Sequence, residues 1–140
     1  MTNNFFDVLR PGIHTTYQDK GRANLYHVGI PFSGVMDNRN FLILNALLNN
    51  ETNIVALEFA YQGPLLKFNG ESAIIAITGD VSFEILRNGN KSEVGNCYKT
   101  YLVEKNDQIN IISTNKSVYG YFGVHGGFKT NSFQDSYSTY

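Results

Sequence analysis

The polar side chains that could do chemistry are concentrated between residues 10 and 37. This segment contains four glycines and two prolines, and no apolar repeat of period 2 or 3.6 runs through it. It therefore predicts tight turns rather than a helix or strand, and a long irregular segment in a compact domain is usually functional or poorly ordered. Its apolar residues favour a packed segment: Tyr17, Leu25, Tyr26, Val28 and Phe32. The candidate ligand-binding groups within it are Gln18, Asp19, Arg22, His27 and Ser33.

Arg22, with Asp19 and Gln18 beside it, could form an anion clamp. A guanidinium fork matches the two oxygens of a carboxylate, and Asp19 would hold that fork in place. The alternative is a polar cluster that satisfies buried backbone groups in an irregular loop. Arg10, just before Pro11, is equally well explained as a structural ion-pair partner.

Histidine and serine chemistry is open at three positions. His27 and His125 could transfer protons or line a pocket, or could be ordinary hydrogen-bonded histidines. The three histidines and Cys97 show no metal-ligand spacing, so no metal site is expected. Ser33 lacks the G-x-S-x-G pattern of a nucleophile elbow, which favours a turn hydroxyl or ligand contact over covalent catalysis.

Glu58 is the remaining candidate for a binding residue. It follows the apolar run 55–57, and an inward-facing carboxylate there is costly unless it is paired. It is either exposed at a strand end or a partner for Arg22 or Arg10. The double glycine beside His125 allows close approach of a ligand to the backbone, or equally a bend at a barrel corner. The sequence identifies no catalytic residue.

One helix is predicted, over residues 38–48. Asp37 can cap its N-terminus, apolar residues recur at three-and-four spacing, and Asn49 and Asn50 are suited to end it.

The elements that must position these groups are otherwise short strands. Strands are predicted over 54–59, 65–68, 73–78, 82–87, 98–103, 108–113 and 118–124, with a hairpin turn at Asn88-Gly89. Seven closely spaced strands indicate a mainly β barrel or sandwich. Residues 129–140 carry no apolar periodicity and predict a loop or loose tail.

Composition narrows the class of protein. The chain has 140 residues, a net charge of −1, 42% hydrophobic and 16% charged residues. It predicts a single soluble domain without the charge needed for nucleic acid or anionic membrane. Because so few residues are charged, part of the surface is free to contact another protein subunit or a second copy of the chain.

One cysteine and no secretory signal indicate a reducing, cytoplasmic location. The sequence has no phosphate-binding loop, no dinucleotide fingerprint and no Met-Lys biotin attachment site.

Several motifs resemble those of one family. They are RPG at 10–12, TTYQD at 15–19, GIPFSGVMD at 29–37, LE at 57–58, GP at 63–64, ITG at 77–79, GVHGGF at 123–128 and SYSTY at 136–140. The pattern is similar to the second allophanate-hydrolase-type subunit, also described as a biotin-dependent carboxyltransferase domain. Members include the C subunit of bacterial ATP-dependent 5-oxoprolinase, part of urea carboxylase, and KipA, which antagonises a sporulation kinase inhibitor. Tyr137 stands where the family tends to have Arg.

The resemblance implies a fold and a function. It implies a cyclophilin-like β-barrel lobe, with residues 1–140 as the N-terminal half of a two-lobed domain and the second half absent. It implies a subunit of an ATP-dependent 5-oxoprolinase-type amide hydrolase, which is inactive alone and grips a small amide or carboxylate substrate with the 10–37 segment. ATP would act in the assembled complex. The alternatives are a KipA-type regulatory protein, or a carboxyltransferase that acts on urea or a similar amide with biotin carried by another protein.

Overall fold

The computed structural model describes residues 4–12, 16–18, 37–51, 54–88, 91–128 and 133–135, of which 16–18 and 133–135 are described as backbone only. These residues form one helix and eleven strands. The helix α1 spans Asn38–Leu47. The strands are β1 Phe5–Arg10, β2 Thr16–Gln18, β3 Ala56–Ala60, β4 Leu65–Asn69, β5 Ser72–Thr78, β6 Val81–Arg87, β7 Lys91–Val94, β8 Thr100–Glu104, β9 Gln108–Thr114, β10 Tyr119–Val124 and β11 Phe133–Asp135. The expected mainly β fold with one helix is confirmed.

The strands lie in two sheets. The first has the order β11-β1-β4-β9-β6-β7, and the second has the order β2-β3-β10-β5-β8. All strand pairs are antiparallel except β1 with β11, which run parallel. Alternating residues of both sheets form one shared apolar core, as in β6, where Val81, Phe83 and Ile85 are buried. That period of two is what a sheet with one buried face requires.

A charged cluster joins β6 of the first sheet to the edge strand β8 of the second. Arg87, at the end of β6, donates from Nη1 to the Leu102 carbonyl oxygen in β8 at 2.6 Å and to the Asp107 carboxylate at 3.0 Å. Asp107 is buried and also accepts from the backbone N–H groups of Asn88 and Glu104. Every oxygen of this buried carboxylate therefore has a donor, as burial of a charge demands.

Helix α1 covers the outer face of the second sheet. Phe41, Leu44 and Leu48 form a second apolar cluster with sheet residues that include Tyr121. A Cβ at Gly123 would lie 2.8 Å from carbon atoms of Leu44 and Leu48, so the helix sits directly on the backbone of β10. The absence of a side chain at this position is what lets the helix approach so closely.

Both predicted ends of the helix are confirmed. The Asp37 carboxylate accepts from the Asn40 backbone N–H at 3.2 Å, as an N-cap does. Beyond the cap residue Leu48, Asn49 adopts a φ of +59°, the left-handed conformation that ends many helices.

Four strands were not predicted. The apolar alternation of β1 was present in the sequence, since Phe6 and Val8 are buried and their neighbours less so. Strand β7 is exposed at all four residues, so no alternation marks it. Strands β2 and β11 have three residues each, and their pairing with β3 and β1 defines them. The expectation of a loop over 129–140 is therefore wrong at β11. No helix among the described residues is long and apolar enough to cross a membrane.

Candidate functional site

Glu58 lies beneath the N-terminal end of α1, in the middle of strand β3. Its side chain is 3% exposed. Strand register places Glu58 directly opposite Tyr121 of β10 on one side and Thr16 of β2 on the other. Glu58 is therefore a buried carboxylate within the sheet, and its interpretation as an exposed strand-end residue is wrong.

The hydroxyl of Tyr121 connects Glu58 to the start of the helix. It accepts a hydrogen bond from the Asp37 backbone N–H at 2.8 Å and donates to Oε2 of Glu58. Because a backbone N–H can only donate, the single phenol proton is directed to Glu58. Burial, followed by the hydrogen bond from Tyr121 to Glu58 and the Glu58 charge, raises the pKa of Tyr121 well above its ordinary value. The phenol is thus a neutral, oriented donor at physiological pH.

The described residues that flank positions 19–36 in the sequence lie near this pair. On one side, β2 pairs with β3 so that Thr16 faces Glu58 and Gln18 faces Ala56. On the other side, the Asp37 N–H binds the Tyr121 hydroxyl. Four candidates, Asp19, Arg22, His27 and Ser33, lie outside the described residues, and Gln18 is described as backbone in β2. The described residues that precede and follow this segment in the sequence therefore lie near the Glu58–Tyr121 pair.

Arg10 does not contribute to this site in the contacts that are described. Its Nη2 donates to three neutral oxygens, the carbonyls of Gly63 and Ile111 and the side-chain oxygen of Asn110, at 3.0–3.1 Å. These bonds tie β1 to β9 and to the turn between β3 and β4. Within the described part of the chain Arg10 forms no ion pair. Its described contacts link strands through neutral oxygens and do not include Glu58.

His125 lies at the opposite end of α1. Its ring is exposed, and Nδ1 lies 2.6 Å from the Leu48 carbonyl oxygen at the C-terminal end of the helix, where Nδ1 must carry the proton. A helix of ten residues is about 15 Å long, so His125 and Glu58 are not brought together.

Gly126 and Gly127 have φ values of +90° and +79°, and their N–H groups bind Asn50 and Val124. These contacts fit the prediction that the double glycine forms a bend in the chain at a barrel corner.

Four contributors to the site were missed at the level of sequence: Tyr121, the backbone N–H of Asp37, Asn40 and Tyr98. Tyr121 stands on the outward face of a predicted strand, but the sequence does not give the register that pairs it with Glu58. Among the described residues, no group of three or more His, Cys, Asp or Glu could hold a metal ion. The arrangement offers a buried carboxylate that accepts a hydrogen bond from an oriented phenol.

Comparison with known proteins assigns the family. The family model of the carboxyltransferase domain, subdomain A and B, matches residues 28–140. Urea amidolyase of Saccharomyces cerevisiae is 30% identical over 135 residues, which cover 96% of this chain and 7% of that protein. The C subunit of 5-oxoprolinase of Haemophilus influenzae is 30% identical over 133 residues, 95% of this chain and 41% of that protein.

A solved structure shows the same fold. The crystal structure of urea amidolyase of K. lactis superposes with a TM-score of 0.72 at 29% identity, covering 87% of this chain and 7% of that one. The chain thus spans less than half the length of each of these relatives. Sequence motifs, fold and family model agree, and the chain belongs to the family of carboxyltransferase domains, subdomain A and B.

Proposed function

We propose that this chain is the substrate-gripping lobe of a subunit of an ATP-dependent 5-oxoprolinase-type amide hydrolase. The observation that carries the proposal is the buried Glu58 carboxylate, which accepts from Tyr121 and lies beside both β2 and Asp37, the described neighbours of residues 19–36 in the sequence. The similarity to the C subunit of 5-oxoprolinase supports this class of assembly.

Glu58 suits the recognition of an amide. A carboxylate accepts hydrogen bonds strongly, and the N–H of a lactam such as 5-oxoproline is a matching donor. Because a carboxylate can accept several hydrogen bonds at once, Glu58 can bind Tyr121 and a substrate N–H together. Arg22, oriented by Asp19 and Gln18, would hold the substrate carboxylate, while His27 and Ser33 would supply further polar contacts. His125 is not proposed for this site, because it lies at the other end of α1.

The proposal places ATP outside the contacts described for Glu58, Tyr121 and Asp37. The hydrogen bonds described there join a carboxylate, a phenol and a backbone N–H, and none of these three groups is a cation that could neutralise phosphate. We therefore assign ATP binding to the other subunits of the assembly, and biotin, if it takes part, to a separate carrier protein. The expected compartment of the assembly is the cytoplasm.

Urea is the second candidate substrate class, because relatives named urea amidolyase align over most of this chain. Urea offers N–H donors to Glu58 but has no carboxylate for Arg22. A KipA-type regulatory protein would bind a protein partner and need neither ligand. The three functions therefore differ in the small molecules that they require.

Calorimetric titration of three ligands tests the proposal. The assembly containing this chain is titrated with 5-oxoproline, with 2-pyrrolidone, which is the same lactam without the carboxylate, and with urea. We expect 5-oxoproline to bind best, and Arg22→Lys to weaken it about ten- to a hundredfold while leaving 2-pyrrolidone unchanged, since lysine keeps the charge but loses the fork. Tighter binding of urea would favour the carboxyltransferase, and no binding of any ligand would favour the regulatory protein.

A further inference from the structure

Tyr98 has an unusual backbone conformation for an exposed aromatic residue. Its φ is +64°, in the left-handed region that bulky residues rarely adopt, and its side chain is 46% exposed. The backbone N–H of Tyr98 binds the Ile77 carbonyl oxygen at 2.9 Å, which holds the residue in this conformation. Such strain persists where surrounding contacts maintain it, and it is concentrated at functional sites.

The hydroxyl of Tyr98 fixes a residue in the first turn of α1. It donates to Oδ1 of Asn40 at 2.6 Å and accepts from the Gly79 N–H at 3.2 Å. The Asn40 amide nitrogen donates to Oδ2 of Asp37 at 2.8 Å. Because a carboxylate can only accept, this contact sets the orientation of the Asn40 amide and leaves its oxygen for Tyr98.

The same hydrogen bonds continue to the buried carboxylate. Asp37, held by Asn40 through its side chain, donates its backbone N–H to Tyr121, and Tyr121 donates to Glu58. Thr78 also contacts Asn40, because its hydroxyl donates to the Asn40 carbonyl oxygen at 2.9 Å. Thr78 lies directly opposite Tyr121 in the sheet. Four hydrogen bonds, connected through the covalent bonds of Asn40 and Asp37, therefore link the exposed Tyr98 to Glu58.

We infer that Tyr98 is a positioning residue for the Glu58–Tyr121 pair. Tyr98 holds Asn40, and Asn40 holds Asp37. This fixes the position of the Asp37 N–H against the Tyr121 hydroxyl, and so keeps the phenol proton directed toward Glu58. The consequence for ligand binding rests on the proposed function, whereas the consequence for Tyr121 itself does not.

The inference is tested by nuclear magnetic resonance of the protein labelled with ¹³C at the tyrosine Cζ. Tyr98→Phe should shift the Tyr121 resonance and speed the exchange of its hydroxyl proton, and Asn40→Ala, which breaks the same path one step further, should do the same. The matched control is Tyr61→Phe, because Tyr61 is also exposed, has a φ of +65° and has no hydroxyl hydrogen bond among the described residues. A Tyr121 resonance unchanged by Tyr98→Phe and Asn40→Ala would overturn the inference.

A binding measurement separates this inference from the proposed function. In the assembly, Tyr98→Phe should weaken 5-oxoproline binding about three- to tenfold, the effect of one hydrogen bond, and Tyr61→Phe should not. If Tyr98→Phe moves the Tyr121 resonance but leaves 5-oxoproline binding intact, the positioning role stands and the proposed ligand site at Glu58 fails.

Discussion

Replacement of Tyr121 by phenylalanine is expected to lower the free energy of unfolding by about 2–4 kcal/mol. The hydroxyl serves a part-buried N–H and a buried carboxylate at once, so its loss removes an acceptor from Asp37 and a donor from Glu58. Urea denaturation at pH 7 measures the effect. The control Tyr61→Phe removes an exposed hydroxyl and should change stability by less than about 0.5 kcal/mol.

A double-variant cycle and a pH series check the cause of that loss. Glu58→Leu combined with Tyr121→Phe should cost less than the sum of the single changes, because the double variant leaves neither member of the Glu58–Tyr121 hydrogen bond facing a missing partner; simple additivity would contradict the coupling. The raised pKa of folded Tyr121 means that its contribution is fully present below pH 10.0, the ordinary tyrosine value, and is lost above it. The wild type should therefore lose stability above that pH more steeply than Tyr121→Phe, by about 1.4 kcal/mol per pH unit.

Replacement of Glu58 by glutamine is expected to reduce kcat/KM for 5-oxoproline in the assembly about a hundredfold. Glutamine keeps one oxygen to accept from Tyr121 but turns an amide donor toward the substrate N–H, and loss of a charge-assisted hydrogen bond costs about 1.5–3 kcal/mol. The melting temperature should change little, because the contact to Tyr121 is retained.

The matched control is Glu84→Gln. Glu84 is likewise a strand carboxylate that accepts side-chain hydrogen bonds, from Ser92 and Asn110, but it lies in the first sheet, away from α1. Its substitution should leave kcat/KM unchanged. Equal effects of the two substitutions, or an unaffected Glu58→Gln enzyme, would remove Glu58 from the ligand site.

The helix and most strands could be predicted because their signals lie within a few residues of the sequence. Asp37 and Asn49 act on backbone groups within a few residues of themselves, so their roles could be read without tertiary structure. The buried alternation of β6 carried the same kind of local signal. Strand β7 exposes every side chain, and β2 and β11 are too short for a pattern, so only their pairing reveals them.

The site was less predictable because it depends on register between distant strands. Glu58 could be singled out as a carboxylate after an apolar run, but its partner Tyr121 is 63 residues away. Nothing local to Tyr98 or Asn40 indicates that they meet across 58 residues. His125 was as good a candidate for a ligand-binding residue as Glu58 when judged by residue type. The structure excludes it from this site, because His125 and Glu58 lie at opposite ends of α1.

ATP hydrolysis that depends on 5-oxoproline tests the proposed role of this chain most directly. The assembly is reconstituted from its subunits with this chain present or omitted, and ATP hydrolysis is followed as 5-oxoproline is added. We predict 5-oxoproline-dependent hydrolysis only when this chain is present together with its partners, and none from the chain alone. Hydrolysis that is unchanged when the chain is omitted, or that the purified chain performs by itself, would contradict its role as the substrate-gripping lobe.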